Sequence, residues 1–285
     1  MRIEIPSILP WQPGTSLGPQ QPPVEMVMPH TAQVVCTIAV AVVSVLAVIA
    51  VSLAWRRTRS SVYPLIMLGG LACVFNEPIV DLLGLCWHPR TGQWRLFETF
   101  GRPIPVWAAL GYMLVFGIMS AVLFGLLSRG AGYRRLWAGV VVFWLVDLAV
   151  ELPLLRQGIY IYYGDQPLRV GGFPLTWLLI NGLGGLLIAV GIARLPGLFG
   201  GRRRWLIVPF MPAMQLLAAS IAIPAFSVLN ADVSSGWRWV GVLATAVIGV
   251  ALIDGLIRFA VSGRELIAVP VRAAQALQPE VTSAR

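Results

Sequence analysis

The chain has 285 residues, of which 58% are hydrophobic and 12% charged, and its mean hydropathy is +0.80. A water-soluble domain needs more polar surface than this composition supplies, so an ordinary soluble globular fold is excluded. The net charge is +9 and every basic residue is an arginine, and the lack of lysine excludes Schiff-base chemistry and a P-loop.

The chain divides into two tails and a long apolar region. Residues 1–32 are rich in proline and glutamine and predict a flexible N-terminal tail. Residues 33–263 contain seven continuous apolar segments, each long enough to cross a bilayer as a helix. We place these segments at 33–55, 62–86, 104–128, 135–157, 173–194, 205–229 and 237–260. Residues 264–285 predict a polar C-terminal tail, so the expected fold is an all-α membrane protein, a bundle of seven transmembrane helices.

The arginines predict how the bundle is oriented. Fourteen of the 21 arginines follow the first, third, fifth and seventh segments, and seven lie on the other side. Cytoplasmic loops carry the excess of positive charge, so we expect the N-terminus outside and the C-terminus in the cytoplasm. This topology explains the basic charge without a nucleic-acid partner. Arginine-only usage favours a GC-rich bacterial genome, and hence a bacterial plasma membrane.

Two loops on the outer side are longer than simple turns. Residues 87–103 and 158–172 are rich in aromatic residues and glycine. Such loops are typical of an aromatic belt at the membrane surface. They are also typical of lids that close over a pocket, and the sequence leaves both interpretations open.

Acidic residues inside the apolar segments are the strongest functional signal. Carboxylates are costly in lipid and therefore indicate a functional site. Glu77 and Asp81 are four residues apart on the second segment, as are Asp147 and Glu151 on the fourth, so each pair shares a helix face. Two buried neighbouring carboxyls do not both ionise, so one member of each pair is expected to remain a protonated general acid. We expect both pairs to meet in the outer half of one cavity, with a structural hydrogen-bond network as the alternative.

Prolines beside the acids predict helix breaks. Pro78 follows Glu77, and Pro153 comes two residues after Glu151. Each proline removes one helical hydrogen bond, so we expect free carbonyls at Val74 and Ala149.

Other residues at similar depth are candidates for binding a substrate. The amides predict a polar floor and the aromatic rings predict cation-stabilising walls, although packing between helices explains single rings equally well. These candidates are Asn76, Phe143, Trp144, Trp177, Asn181 and Gln215. Asp254 lies four residues before Arg258 and is either half of an ion pair or a further acid.

Metal and cofactor chemistry is not indicated. His30 and His88 both lie outside the predicted segments, which argues against histidine metal centres inside the bundle. Cys36, Cys73 and Cys86 have no metal-binding spacing and are expected to be small apolar packing residues. We therefore predict no metal and no cofactor.

A pocket of carboxylic acids, amides and aromatic rings suits protonation of an alkene or an epoxide.

Seven predicted helices in under 300 residues, with Asn76-Glu77 on the second and Asp254 on the last, resemble the integral membrane terpene cyclases. The resemblance implies an enzyme that cyclises a hydrophobic isoprenoid substrate with membrane carboxyls as acids and without a metal. The architecture covers residues 33–260, whereas the motif covers only these three positions. The pair Asp147 and Glu151 has no counterpart in that motif.

Two other functions remain open at this stage. The paired carboxylates loosely resemble the motifs of a UbiA-like intramembrane prenyltransferase, which holds Mg²⁺ and a prenyl diphosphate. Its larger helix count, its aspartate-rich motif and its cytosolic substrate argue against that function. Acid pairs also occur as proton relays, so a proton-coupled transporter or a lipid-binding membrane protein is the non-enzymatic alternative.

Overall fold

A computed structural model describes residues 14–276 of the chain, with side chains described up to residue 262. About 70% of it is helical, and seven helical spans are long and apolar enough to cross a membrane. The spans are His30–Thr58, Val62–Leu83, Val106–Ser128, Tyr133–Arg156, Thr176–Arg194, Gly201–Leu229 and Ser235–Ser262. Every predicted boundary lies within four residues of these bounds, which confirms the all-α class and the number of spans. The outer parts of the two predicted tails, 1–13 and 277–285, lie outside the described residues.

Four spans are single α-helices and three are interrupted. The uninterrupted helices are α1 (His30–Thr58), α6 (Tyr133–Arg156), α7 (Thr176–Arg194) and α10 (Ser235–Ala276). The second span consists of α2 (Val62–Ala72), a 3₁₀ turn (Cys73–Asn76) and α3 (Glu77–Leu83). The third consists of α4 (Val106–Tyr112), a π-helical turn (Met113–Ile118) and α5 (Met119–Ser128). The sixth consists of a 3₁₀ segment (Gly201–Leu206), α8 (Ile207–Ala219), a 3₁₀ turn (Ser220–Ala222) and α9 (Ile223–Leu229).

The helix break at Pro78 differs from the prediction in its hydrogen bonding. The chain tightens into the 3₁₀ turn before Glu77, and the backbone N–H of Glu77 donates to the carbonyl of Val74. The prediction of a free carbonyl at Val74 is therefore wrong, because the tighter turn supplies a donor that lies nearer in sequence than the missing one. No such break occurs at Pro153, and α6 continues through it to Arg156.

Between residues 14 and 276, six short strands form at one end of the bundle, which we call the strand end. The first, β1 (Cys86–Trp87), pairs antiparallel with β4 (Ile161–Tyr162), so the two long loops are joined to each other. Each loop also contains its own hairpin, formed by β2 (Arg95–Thr99) with β3 (Arg102–Pro105) and by β5 (Arg169–Val170) with β6 (Phe173–Pro174).

The described part of the N-terminal region packs against these loops. Val27 forms a β-bridge with Thr91. The side chain of Gln20 accepts a hydrogen bond from the backbone N–H of Asp165 at 2.7 Å and donates to the carbonyl of Leu229 at 3.4 Å. The sequence did not predict these contacts for the proline-rich segment.

The core lies around α7, and α1 and α6 lie at the periphery. Two-thirds of the apolar window of α7 is buried (67%), against 11% for both α1 and α6. Close approach of the second and third spans depends on glycine, because a Cβ at Gly70 would lie 2.6 Å from the backbone N of Gly117. This packing leaves room between the peripheral helices and the third span, and the cavity described next occupies that space.

Candidate active site

A cavity of about 420 Å³ lies between α1, the third span and α6, and the strand end contributes residues to it. This volume is within the range of small-molecule sites, roughly 300–1,000 Å³. Most of the lining is aliphatic, and part of it borders the outside of the bundle: Val43, Val122 and Val146 line the cavity and are each about half exposed. An opening walled by valines between helices admits apolar molecules more readily than water-soluble ones.

Glu77 reaches the cavity from the first turn of α3 and has a tyrosine as its partner. The hydroxyl of Tyr112, at the end of α4, donates to Oε2 of Glu77. Tyr112 also lines the cavity and directly precedes the π-helical turn, a distortion that often accompanies functional sites.

The two acids of α6 also face the cavity, and each has a neutral donor. The hydroxyl of Tyr160 donates to Oε2 of Glu151, and the amide of Asn181 on α7 donates to Oδ2 of Asp147 at 3.0 Å. Asp147 is buried, although the helix that carries it lies at the periphery. Glu77 of the second span and both acids of the fourth span thus line the same cavity.

Asp81 lies beside the cavity rather than in its wall. Its Oδ2 is 3.2 Å from Nδ1 of His88, and both side chains are almost fully buried. His88 does line the cavity, with its ring against Trp107 and Tyr160 at centroid distances of 5.6 Å and 5.3 Å. His88 lies beyond the second span, as the sequence predicts, but the β1–β4 pairing turns its loop inward so that its ring reaches the cavity wall.

Burial and nearby carboxyls favour the neutral forms of Cys86 and Tyr162, the paired residues of β1 and β4 in the cavity wall. Burial raises the pKa of the Cys86 thiol well above its ordinary value, and the nearby carboxyls of Asp81, Glu77 and Glu151 raise it further. Burial also raises the pKa of Tyr162, with Glu151 adding to the effect. Among the residues that the structure describes, those that line the cavity include no arginine.

Two of the predicted binding residues, Asn76 and Gln215, lie outside the cavity. The amide of Asn76 donates to the carbonyl of Pro212 at 2.7 Å and to Oε1 of Gln215 at 2.6 Å, so both amides join the second span to the sixth instead of forming the cavity floor. Asn76 points away from Glu77 because adjacent residues on a helix are turned by about 100°.

Asp254 is also separate from the cavity. Its Oδ2 accepts a hydrogen bond from Nε of Arg258 at 2.6 Å, and its Oδ1 accepts from the hydroxyl of Tyr133 and from the indole of Trp137. The predicted ion pair with Arg258 is therefore present, and Asp254 does not line the cavity.

Of the three predicted aromatic residues, one lines the cavity and two lie elsewhere. Phe143 lines the cavity, whereas Trp144 packs on Gly182 and Trp177 packs between Tyr162 and Phe226. The sequence reasoning missed four further aromatic residues that line the cavity: Trp107, Tyr112, Tyr160 and Tyr162. The two long aromatic loops gave a signal for Tyr160 and Tyr162, but nothing in the sequence marked Tyr112.

Comparison with protein families, with curated proteins and with solved structures finds no match to this chain. The geometry of the site is therefore the basis for the function proposed next.

Proposed function

We propose that this protein is an integral membrane enzyme that protonates an alkene or an epoxide of an isoprenoid substrate and guides cyclisation of the resulting carbocation. One observation carries the proposal: three carboxyls, each hydrogen-bonded to a neutral donor, face a largely aliphatic cavity that opens between helices. Neutral donors leave a carboxyl in apolar surroundings free to keep its proton, whereas an arginine partner would hold it ionised.

The reaction needs one acid, one base and a surface that tolerates positive charge. A carboxyl gives its proton to the alkene carbon or the epoxide oxygen, which leaves a cation on a neighbouring carbon. The π-electrons of a second alkene in the same chain attack that cation and close a ring. A carboxylate then removes a proton from the carbon next to the final cation, so a double bond forms and charge is balanced.

Glu77, Glu151 and Asp147 supply the acid and the base in this scheme, with Asp81 bonded to His88 behind them. Aromatic rings in the cavity wall, including those of Tyr112, Tyr160 and Phe143, are the groups that would stabilise the moving charge in this scheme. The proton comes from a carboxylic acid, so the transfer itself needs neither a metal ion nor a cofactor. The hydrophobic substrate and the bilayer are the partners that this scheme requires.

The proposal includes an orientation in the membrane. The arginine distribution supports an N-terminus outside and a C-terminus in the cytoplasm, which places the strand end outside. Reporter fusions at residues 60 and 132 are expected to read as cytoplasmic and a fusion at 165 as external. A cytoplasmic signal at 165 would overturn the orientation.

The function is tested in membranes that contain the full chain, with prenylated and epoxy-prenylated substrates and no added Mg²⁺. The variants Glu77→Gln, Asp147→Asn and Glu151→Gln keep shape and hydrogen bonding but remove the acid. Loss of the proton donor is expected to lower kcat by roughly 10²–10⁴-fold. Cyclisation that survives all three substitutions would contradict acid catalysis. Turnover that requires both Mg²⁺ and a prenyl diphosphate would favour the prenyltransferase alternative.

A further inference from the structure

Three potential metal ligands converge where the second span meets the first long loop. Asp81 lies in the last part of α3, and Leu85 then takes a left-handed conformation with φ of 53°. This turn directs the chain into β1, which begins at Cys86 and is followed by His88. Asp81 is five residues before Cys86, and Cys86 is two before His88; the turn folds these three residues back onto one another.

The geometry is close to that of a metal site. A carboxylate oxygen of Asp81, the Sγ of Cys86 and a ring nitrogen of His88 lie within 4.8 Å of one another, and all three residues are buried. Zinc bonds of about 2.0–2.3 Å with tetrahedral angles would set ligand atoms about 3.3–3.8 Å apart. Shifts of about 1 Å in side chains would suffice to close the site.

The surroundings hold two of the ligands in place. The ring of His88 is packed against Trp107 and Tyr160, and the backbone of Cys86 is fixed by its pairing with Tyr162 in β4. Fixed ligands lower the entropic cost of binding a metal. Cys86 binds a metal as the thiolate, so its thiol releases a proton to solvent on binding. The divalent cation then offsets the buried charges of the thiolate and the carboxylate.

We propose that Asp81, Cys86 and His88 bind one divalent transition-metal ion of the zinc class. One nitrogen, one sulfur and one oxygen donor suit zinc or cobalt, whereas Mg²⁺ and Ca²⁺ prefer oxygen alone. Three protein ligands leave a fourth tetrahedral position. Since Cys86 and His88 both line the cavity, a water molecule or a substrate oxygen is available to fill it. The site goes beyond the proposed function, because proton transfer from the carboxyls does not require it.

The test uses the full-length protein, purified in detergent, stripped with a chelator and titrated with Co²⁺. We expect one cobalt per chain, a near-ultraviolet charge-transfer band from thiolate to cobalt, and displacement of cobalt by Zn²⁺. Cys86→Ser should abolish the band, and Asp81→Asn and His88→Asn should weaken binding at least tenfold. The matched control is Cys73→Ser, which removes another buried thiol and should leave the band unchanged.

Failure of this site and failure of the proposed function are distinguishable. The spectrum requires no substrate, and Glu77→Gln should bind cobalt like the unaltered protein even when it is inactive. A stoichiometry near zero in the unaltered protein, or a band that persists in Cys86→Ser, would overturn the proposal. Because the stoichiometry is measured without any substitution, a variant that fails to fold does not prevent the test.

Discussion

The tyrosine hydroxyls beside the acids provide the sharpest test of how the cavity works. Tyr112 donates to Glu77 and Tyr160 donates to Glu151. In the proposed reaction the acid loses its proton to the substrate, and the hydrogen bond from the tyrosine then strengthens, because its acceptor becomes a carboxylate. Each hydroxyl therefore stabilises the transition state more than the ground state, and its removal should lower kcat.

The size of the effect follows from the kind of bond that is lost. A hydrogen bond to a charged buried group contributes about 1.5–3 kcal/mol, which corresponds to about 10- to 150-fold in rate. We expect Tyr112→Phe to lower kcat by this factor if Glu77 is the donor, and Tyr160→Phe to do so if Glu151 is. Both decreases in kcat should be smaller than the decrease caused by removing the acid itself.

The assay is steady-state turnover of a prenylated substrate in membranes that contain equal amounts of each variant. Tyr63→Phe is the matched control, since Tyr63 lies at the opposite end of the second span and packs on Phe124. It should keep kcat within about twofold. If both Tyr112→Phe and Tyr160→Phe retain full kcat while Glu77→Gln is inactive, the tyrosines do not tune the donor and the reasoning is refuted.

Three further predictions follow from residues outside the carboxyl pairs. Asp254→Asn should leave cyclisation intact, because Asp254 bonds to Arg258 away from the cavity; a loss comparable to that of Glu77→Gln would show that this acid takes part. Gly70→Ala should destabilise the folded state by about 1–3 kcal/mol through overpacking, seen as a lower Tm in detergent, whereas Gly111→Ala, with open space around its Cβ, should not. Trp107→Phe removes an indole N–H that is buried in the cavity wall and has no partner within the described part of the chain, so Tm should stay the same or rise. If that N–H binds a substrate oxygen, KM should also rise.

The amino-acid sequence was sufficient to locate the seven spans and to pair the acids within each span. Both are local properties. Span length depends only on a continuous apolar run, and the four-residue spacing places Asp147 and Glu151 on one face of α6 whatever lies opposite. Glu77 is also identified by a local pattern, since it is a carboxyl beside a proline inside an apolar segment.

Tertiary structure alone decided which side chains meet those acids. Tyr112 faces Glu77 because glycine contacts bring the second and third spans together, and the sequence of neither span specifies that approach. His88 and Tyr160 reach the cavity because β1 pairs with β4, which joins two loops separated by more than 50 residues. The sequence predicted Asn76 in the cavity, but its side chain points to the sixth span. The direction of a side chain depends on how its helix is rotated against its neighbours. Pairing between loops and rotation of helices are both set by long-range contacts, which a single sequence does not encode in any local pattern.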